Sequence, residues 1–132
     1  MAHETFFGFT KIVVDDLDRI AGFYQTTMGL REFQRLKGEI ADEAFEEIIL
    51  IHGERMGESV PLIVWKFPNR KPPAASDSIL GFQTRDVDAL VTRIVAAGGS
   101  VVQAPKDDPA HGVRVAFTMD PDGRLLELVQ ML

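Results

Sequence analysis

The chain of 132 residues contains no cysteine. That absence excludes thiol nucleophiles, disulfides and thiolate metal ligands, and it accords with a reducing compartment. Long apolar runs are missing too: no uncharged stretch approaches the roughly 20 residues that a membrane span needs. The opening "MAHETFFGF" has no basic segment leading into an apolar run, so no signal peptide is expected. Positive charge is scarce, with 14 Lys and Arg against 20 Asp and Glu and a net charge of −6. Neither a nucleic acid nor an anionic membrane would be attracted to such a chain, and a cytoplasmic location is the expectation. No glycine-rich loop opens a helix to cradle phosphate; "AAGGS" follows a helix and reads as a stop. A Ser-His-Asp arrangement is equally absent.

What the chain does contain is a copy of itself. "FTKIVVDDLDRIAGFYQTTMG" (9–29) and "ILGFQTRDVDALVTRIVAAGG" (79–99) align without a gap, with Asp16, Asp18 and Gly29 falling on Asp86, Asp88 and Gly99. Each copy reads as a short strand, an acidic helix start, an amphipathic helix and a glycine stop. Leu17, Ile20, Tyr24 and Met28 form one apolar stripe, and Val87, Leu90, Val91, Ile94 and Val95 the other. Asp16 and Asp86 are the expected N-caps; Gly29 and Gly98 or Gly99 are the expected stops. Three strand-like runs follow each helix: "REFQRL", "FEEIILIH" and "VPLIVWKF", then "SVVQA", "VRVAFTM" and "RLLELVQM". The proline-rich "PNRKPPAAS" joins the halves. The expected fold is α+β: two βαβββ modules, 1–68 and 77–132, joined by a linker at 69–76 within one structural domain. Helices would pack outside a cupped mixed sheet, and such a cup suits a small molecule.

Charge placement singles out Glu127, in the apolar final strand "RLLELVQM". A buried carboxylate must meet a cation, a metal, a proton or water, because desolvation costs several kcal/mol. Lys11, on the inward parity of the first strand, and Lys66, ending the fourth, are the expected partners; an acid/base or ligand-anchoring role is the alternative. The histidines form no motif. His3 is expected to be exposed in the tail, His52 ends a strand and could face the cup, and His111 lies in "QAPKDDPAHG", read as a polar loop at a pocket mouth. Phe9 and Trp65 are the expected pocket walls, with Phe67, Phe82 and Phe117 mostly in the core. Arg114 and Arg124 are expected to be solvated rather than anion-binding.

The double βαβββ pattern, with "VVDDLDRIAGFYQTTMGL" at one end and "FTMDPDGRLLELVQ" at the other, resembles the vicinal oxygen chelate superfamily of glyoxalases, bleomycin-resistance proteins and extradiol dioxygenases. The resemblance implies metal ligands on the first and last strands of each half. Two of these positions fall on Phe9 and Ile79, and the last on Glu127. The fourth-strand position lies within 60–67, in an open register, where no side chain is acidic or imidazole. Three or four protein ligands are needed to hold such a metal, so no cofactor is predicted and a divalent metal is the lesser alternative.

The expected function is therefore small-molecule binding of the glyoxalase and bleomycin-resistance type without the usual metal ligands. The expected pocket residues are Phe9, Lys11, His52, Trp65, Ile79, His111 and Phe117 around Glu127. The expected partners are a small apolar or aromatic ligand and, as the resemblance implies, a second copy in a homodimer. The alternative is a glyoxalase-like lyase or isomerase, or a dioxygenase, using a relocated metal site (His52, His111 and Glu127 are the available set) or Glu127 as acid/base.

Overall fold

A computed structural model describes residues 4–75 and 77–132; His3 and Ser76 of the linker lie outside the described residues. The elements run β1 (Thr10–Val13), α1 (Leu17–Met28), β2 (Arg31–Ile40), β3 (Glu43–Ile51), β4 (Leu62–Lys66), β5 (Ile79–Gln83), α2 (Val87–Ala96), β6 (Ser100–Asp108), β7 (Val113–Met119) and β8 (Leu125–Met131). This is βαβββ twice, an α+β fold. Two four-stranded sheets form, ordered β1-β4-β3-β2 and β5-β8-β7-β6. β1 pairs parallel with β4, and β5 with β8; the other pairings are antiparallel. Neither helix is long and apolar enough to cross a membrane.

The chain divides into two compact units, one of residues up to Ala21 with Gly29–Pro72, the other of Gly22–Met28 with Pro73–Leu132. In the first, Ile12, Ile48, Leu50 and Val64 are buried together with Leu17 and Ile20. In the second, α2 packs on its sheet and buries Val87, Leu90 and Ile94, while Ala116, Leu126 and Leu128 are fully buried on the strands. Asp86 caps α2, accepting from the Ala89 N–H at 3.0 Å, and Asp16 accepts from the Arg19 N–H at 3.1 Å. Gly29 and Gly98 take φ of 69° and 99°, the left-handed turn that ends a helix without a Cβ clash.

Two expectations are corrected. β6 runs on to Asp108, so "PKDD" is strand and not loop. Pro105 is tolerated because β6 is an edge strand with a register shift between Gln103 and Lys106, where a missing N–H breaks no ladder. Arg124 is also not solvated: it is 4% exposed, and its Nη1 donates to Asp120 Oδ2 at 2.6 Å.

The same Asp120 oxygen accepts from the Tyr24 hydroxyl at 2.6 Å. The Tyr24 ring stacks on Phe82, with centroids 6.2 Å apart, and meets Phe23 edge-on. The "FY" of the first helix and the "DPDG" turn before β8 are thus one buried network. Burial first, and the Asp120 charge second, push the Tyr24 phenol above its ordinary value of 10.0. An unfolded chain ionises this tyrosine near pH 10 and the folded chain does so only at higher pH. Wild-type stability is therefore expected to fall as pH rises beyond 10. Because the chain has a single tyrosine, phenolate absorbance can be titrated directly in native and urea-unfolded protein. Tyr24→Phe should flatten the alkaline decline in denaturation curves, and coincident native and unfolded titrations would contradict it.

Candidate functional site

Glu127 lies in the middle of β8, between buried Leu126 and Leu128. Alternation turns it to the opposite face from those two, the face not covered by α2. Pairing sets its neighbours. Gly81 of β5 is level with it on one side and Phe117 of β7 on the other, and Gln103 of β6 is level with Phe117. Val115 and Lys106 are level with each other two residues further along the sheet.

These residues border an open cavity of about 550 Å³ lined by Gln103, Lys106, Val115, Phe117 and Glu127, and closed at one end by the Asp108–Ala110 turn. Of its acidic groups, Asp107 is held by Arg114 at 3.0 Å and Asp108 lies 2.8 Å from His111 Nδ1. Arg114 also makes a two-pronged pair with Asp88, and its hydrogen bonds hold the Asp88 carboxyl below the usual range. Among the described residues, neither the Glu127 carboxylate nor the Lys106 ammonium forms a hydrogen bond or ion pair.

Both lysines expected to partner Glu127 are engaged by acids of the first unit. Lys11 Nζ sits 2.9 Å from Glu47 Oε2 and 4.1 Å from the centre of the Trp65 ring. Lys66 donates to the Asp15 carbonyl and lies 3.7 Å from its carboxylate. Glu47 is the more buried acid, with 7% of its side chain exposed, and β3 alternation brings it to the face of Trp65, its register partner. The sequence pairing overlooked it because "FEEIILIH" contains two adjacent glutamates, of which strand parity turns only one inward.

Of the expected pocket residues, Phe117 lines the cavity beside Glu127, and Ile79, 59% exposed, shares their sheet face. His111 follows the lining turn. Phe9, Lys11, His52 and Trp65 belong to the first unit. There Trp65 is no open wall: it is 7% exposed and stacked on Phe45 with centroids 4.0 Å apart. Phe9 is 53% exposed just ahead of β1, and His52 is exposed just after β3, its N–H donating to Ser59. Lys106 went unnoticed in the sequence because β6 was ended too early; carried through to Asp108, its pairing would have placed Lys106 on this face.

The pairing also supplies the open fourth-strand register. The Thr10 N–H donates to the Pro61 carbonyl, and Thr10 is level with Leu62, so Phe9 stands to Pro61 as Ile79 stands to Leu125. Two residues on, Ile63 occupies in the first unit the place of Glu127 in the second. The four positions implied by the resemblance thus carry Phe9, Ile63, Ile79 and Glu127. No group of three or more His, Asp or Glu side chains that could hold a metal forms among the described residues.

Comparison with known proteins gives the ancestry. The chain is 30% identical over 122 residues to a lactoylglutathione lyase of Arabidopsis thaliana, covering 89% of this chain and 41% of that protein. It is 28% identical over 124 residues to a probable lactoylglutathione lyase of Vibrio cholerae, covering 92% and 87%. It therefore spans about two fifths of the plant relative and most of the bacterial one. Among solved structures, a glyoxalase family protein from Bacillus cereus superimposes over 100% of this chain and 99% of its own with a TM-score of 0.80 at 19% identity. Glyoxalase I from Zea mays does so over 91% and 42% with a TM-score of 0.75 at 23% identity. At such identities the structural likeness speaks for the fold. The family model for the Glyoxalase/Bleomycin resistance protein/Dioxygenase superfamily matches residues 6–128, and the chain belongs to that superfamily.

Proposed function

We propose that this protein binds a small apolar or aromatic molecule on the Glu127 face of its second unit, without the divalent metal usual among the superfamily's enzymes. The observation that carries this reading is the cavity of about 550 Å³ in which an unpaired carboxylate stands beside Phe117 and Val115. Apolar walls with a few converging polar groups are the common form of a ligand site. Against a metal stands the donor set: Phe9, Ile63 and Ile79 offer carbon, and a lone carboxylate cannot compete with water for such ions. The protein would work as a cytoplasmic homodimer, a reading that rests on family resemblance and the lack of cysteine.

The unpaired state of Glu127 favours a second reading. A carboxylate facing an open cavity can move a proton next to a bound carbonyl, and several relatives bear the name lactoylglutathione lyase.

A turnover assay, run beside metal analysis, separates the two. Untagged protein purified without chelator, then incubated with Zn, Ni, Fe or Mn salts and desalted, is expected to carry no stoichiometric metal and to leave lactoylglutathione unchanged. Glu127→Ala should match wild type in metal content. Stoichiometric metal in wild type that the variant loses, or turnover of lactoylglutathione, would make the enzyme reading primary.

A further inference from the structure

Three features around Glu127 bear on what the site accepts. The first is Gly81. Glycine weakens a strand, and in strand interiors it often marks the close approach of another group. Gly81 is level with Glu127 on the adjacent strand, and a Cβ added there would meet nothing within 4 Å. Neither packing nor a left-handed backbone requires glycine at this point, so what the missing side chain provides is open space beside the carboxylate.

The second is the pairing of charges. Asp107 and Asp108 are taken by Arg114 and His111, which leaves Lys106 and Glu127 as the lining charges without partners among the described residues. An ammonium only donates hydrogen bonds and an ionised carboxylate only accepts them. A ligand that satisfies both carries an acceptor at one end and a donor at the other. The third feature is their separation. Lys106 and Glu127 lie two strands apart and two residues offset, so their Cα atoms are about 12 Å apart. After both side chains reach inward, the gap suits the two ends of a ring. Phe117 and Val115 lie between them.

We propose that the site takes a flat aromatic anion carrying a hydroxyl: Lys106 holds the anionic group, Glu127 accepts from the hydroxyl, and the ring lies over Phe117 and Val115 between them, with Gly81 leaving the far side of Glu127 open. This rests on the binding reading above and deepens it. The contact with Lys106 is charge-assisted and the contact with Glu127 orients the ring, so removing either group from the ligand is felt separately.

The probes are para-hydroxybenzoate, benzoate and para-hydroxybenzamide, titrated by ligand-observed NMR and calorimetry. Para-hydroxybenzoate is expected to bind at least tenfold more tightly than either analogue. Lys106→Gln should erase the preference for the acid over the amide, and Glu127→Gln should shrink the preference for the hydroxylated over the plain acid. Equal binding of the three probes, no binding by any of them, or tighter binding of para-hydroxybenzylamine than of para-hydroxybenzoate would overturn the proposal. Failure here with a metal-free protein leaves the binding reading in place, whereas stoichiometric metal overturns that reading whatever the probes do.

Discussion

Replacing Asp120 by alanine is expected to destabilise the protein by about 3–5 kcal/mol. Four donors converge on this one carboxylate. Oδ2 accepts from Tyr24 and from Arg124 Nη1, each at 2.6 Å. Oδ1 accepts from the N–H groups of Asp122 and Arg124 at 2.9 and 3.0 Å. A carboxylate has roughly four lone-pair sites, so its capacity is filled. Its side chain is 0% exposed and that of Arg124 5%. Alanine would take the Asp120 charge from a buried guanidinium, the acceptor from a phenol and the tie from the turn before β8. Breaking a buried pair from one side is far more damaging than the pair's own net worth, because the abandoned charge keeps its desolvation penalty. Tyr24→Phe is the control: it removes one hydroxyl and leaves the ion pair, so about 1–2 kcal/mol should be lost. Urea unfolding curves of both variants test this, and near-equal losses would mean that the pair contributes little.

Gly99→Ala should cost about 3 kcal/mol, the upper end of the usual overpacking range. A Cβ at this point would stand 2.5 Å from Ile94 Cγ2 and 2.6 Å from the Met119 carbonyl oxygen. One neighbour is a buried branched side chain on α2 and the other is backbone of β7, so relief requires the end of the helix to move away from the sheet. Gly81→Ala is the matched comparison from the same unit, since its Cβ meets nothing within 4 Å. Thermal melts of the two alanine variants should differ by several degrees, and equal melting points would show that the helix end yields without cost.

The repeated helices were readable because their signals are local. An aspartate cap, a stripe at helical spacing and a glycine in a left-handed turn each act within a few residues, and the αR-to-turn switch at Gly29 and Gly98 needs no distant partner. Which residues share a face with Glu127 along β8 is equally local, since it follows from alternation within the strand. What was misjudged depended on distant groups. Arg124 resembles any charged residue after a turn until Asp120 and Tyr24 close on it, and Tyr24 is 96 residues from Asp120 along the chain. Lys11 was matched to Glu127, whereas the β1–β4 and β3–β4 registers bring it to Glu47. "PKDD" has the composition of a loop, yet β7 offers it a ladder and an edge strand tolerates its proline. The fourth-strand register was inaccessible for the same reason: β1 and β4 are parallel neighbours whose alignment is made across an entire helix and hairpin.

The shared place of Ile63 and Glu127 has a consequence for how such a protein can change over generations. A chain holding two copies of one module has two sites under separate selection. In the first copy Ile63 has joined an apolar cluster with Ile49 and Ile51, and the sheet face around it is closed by Trp65, Phe45 and Lys11. In the second the equivalent face keeps a carboxylate, a glycine and open space. Mutations that retune chemistry can then accumulate on β6, β7 and β8 at small risk to folding, while drift in β3 and β4 is purged for stability alone. The descendants of such a chain should therefore diversify by halves, with new ligands arising from one copy and thermal adaptation from the other.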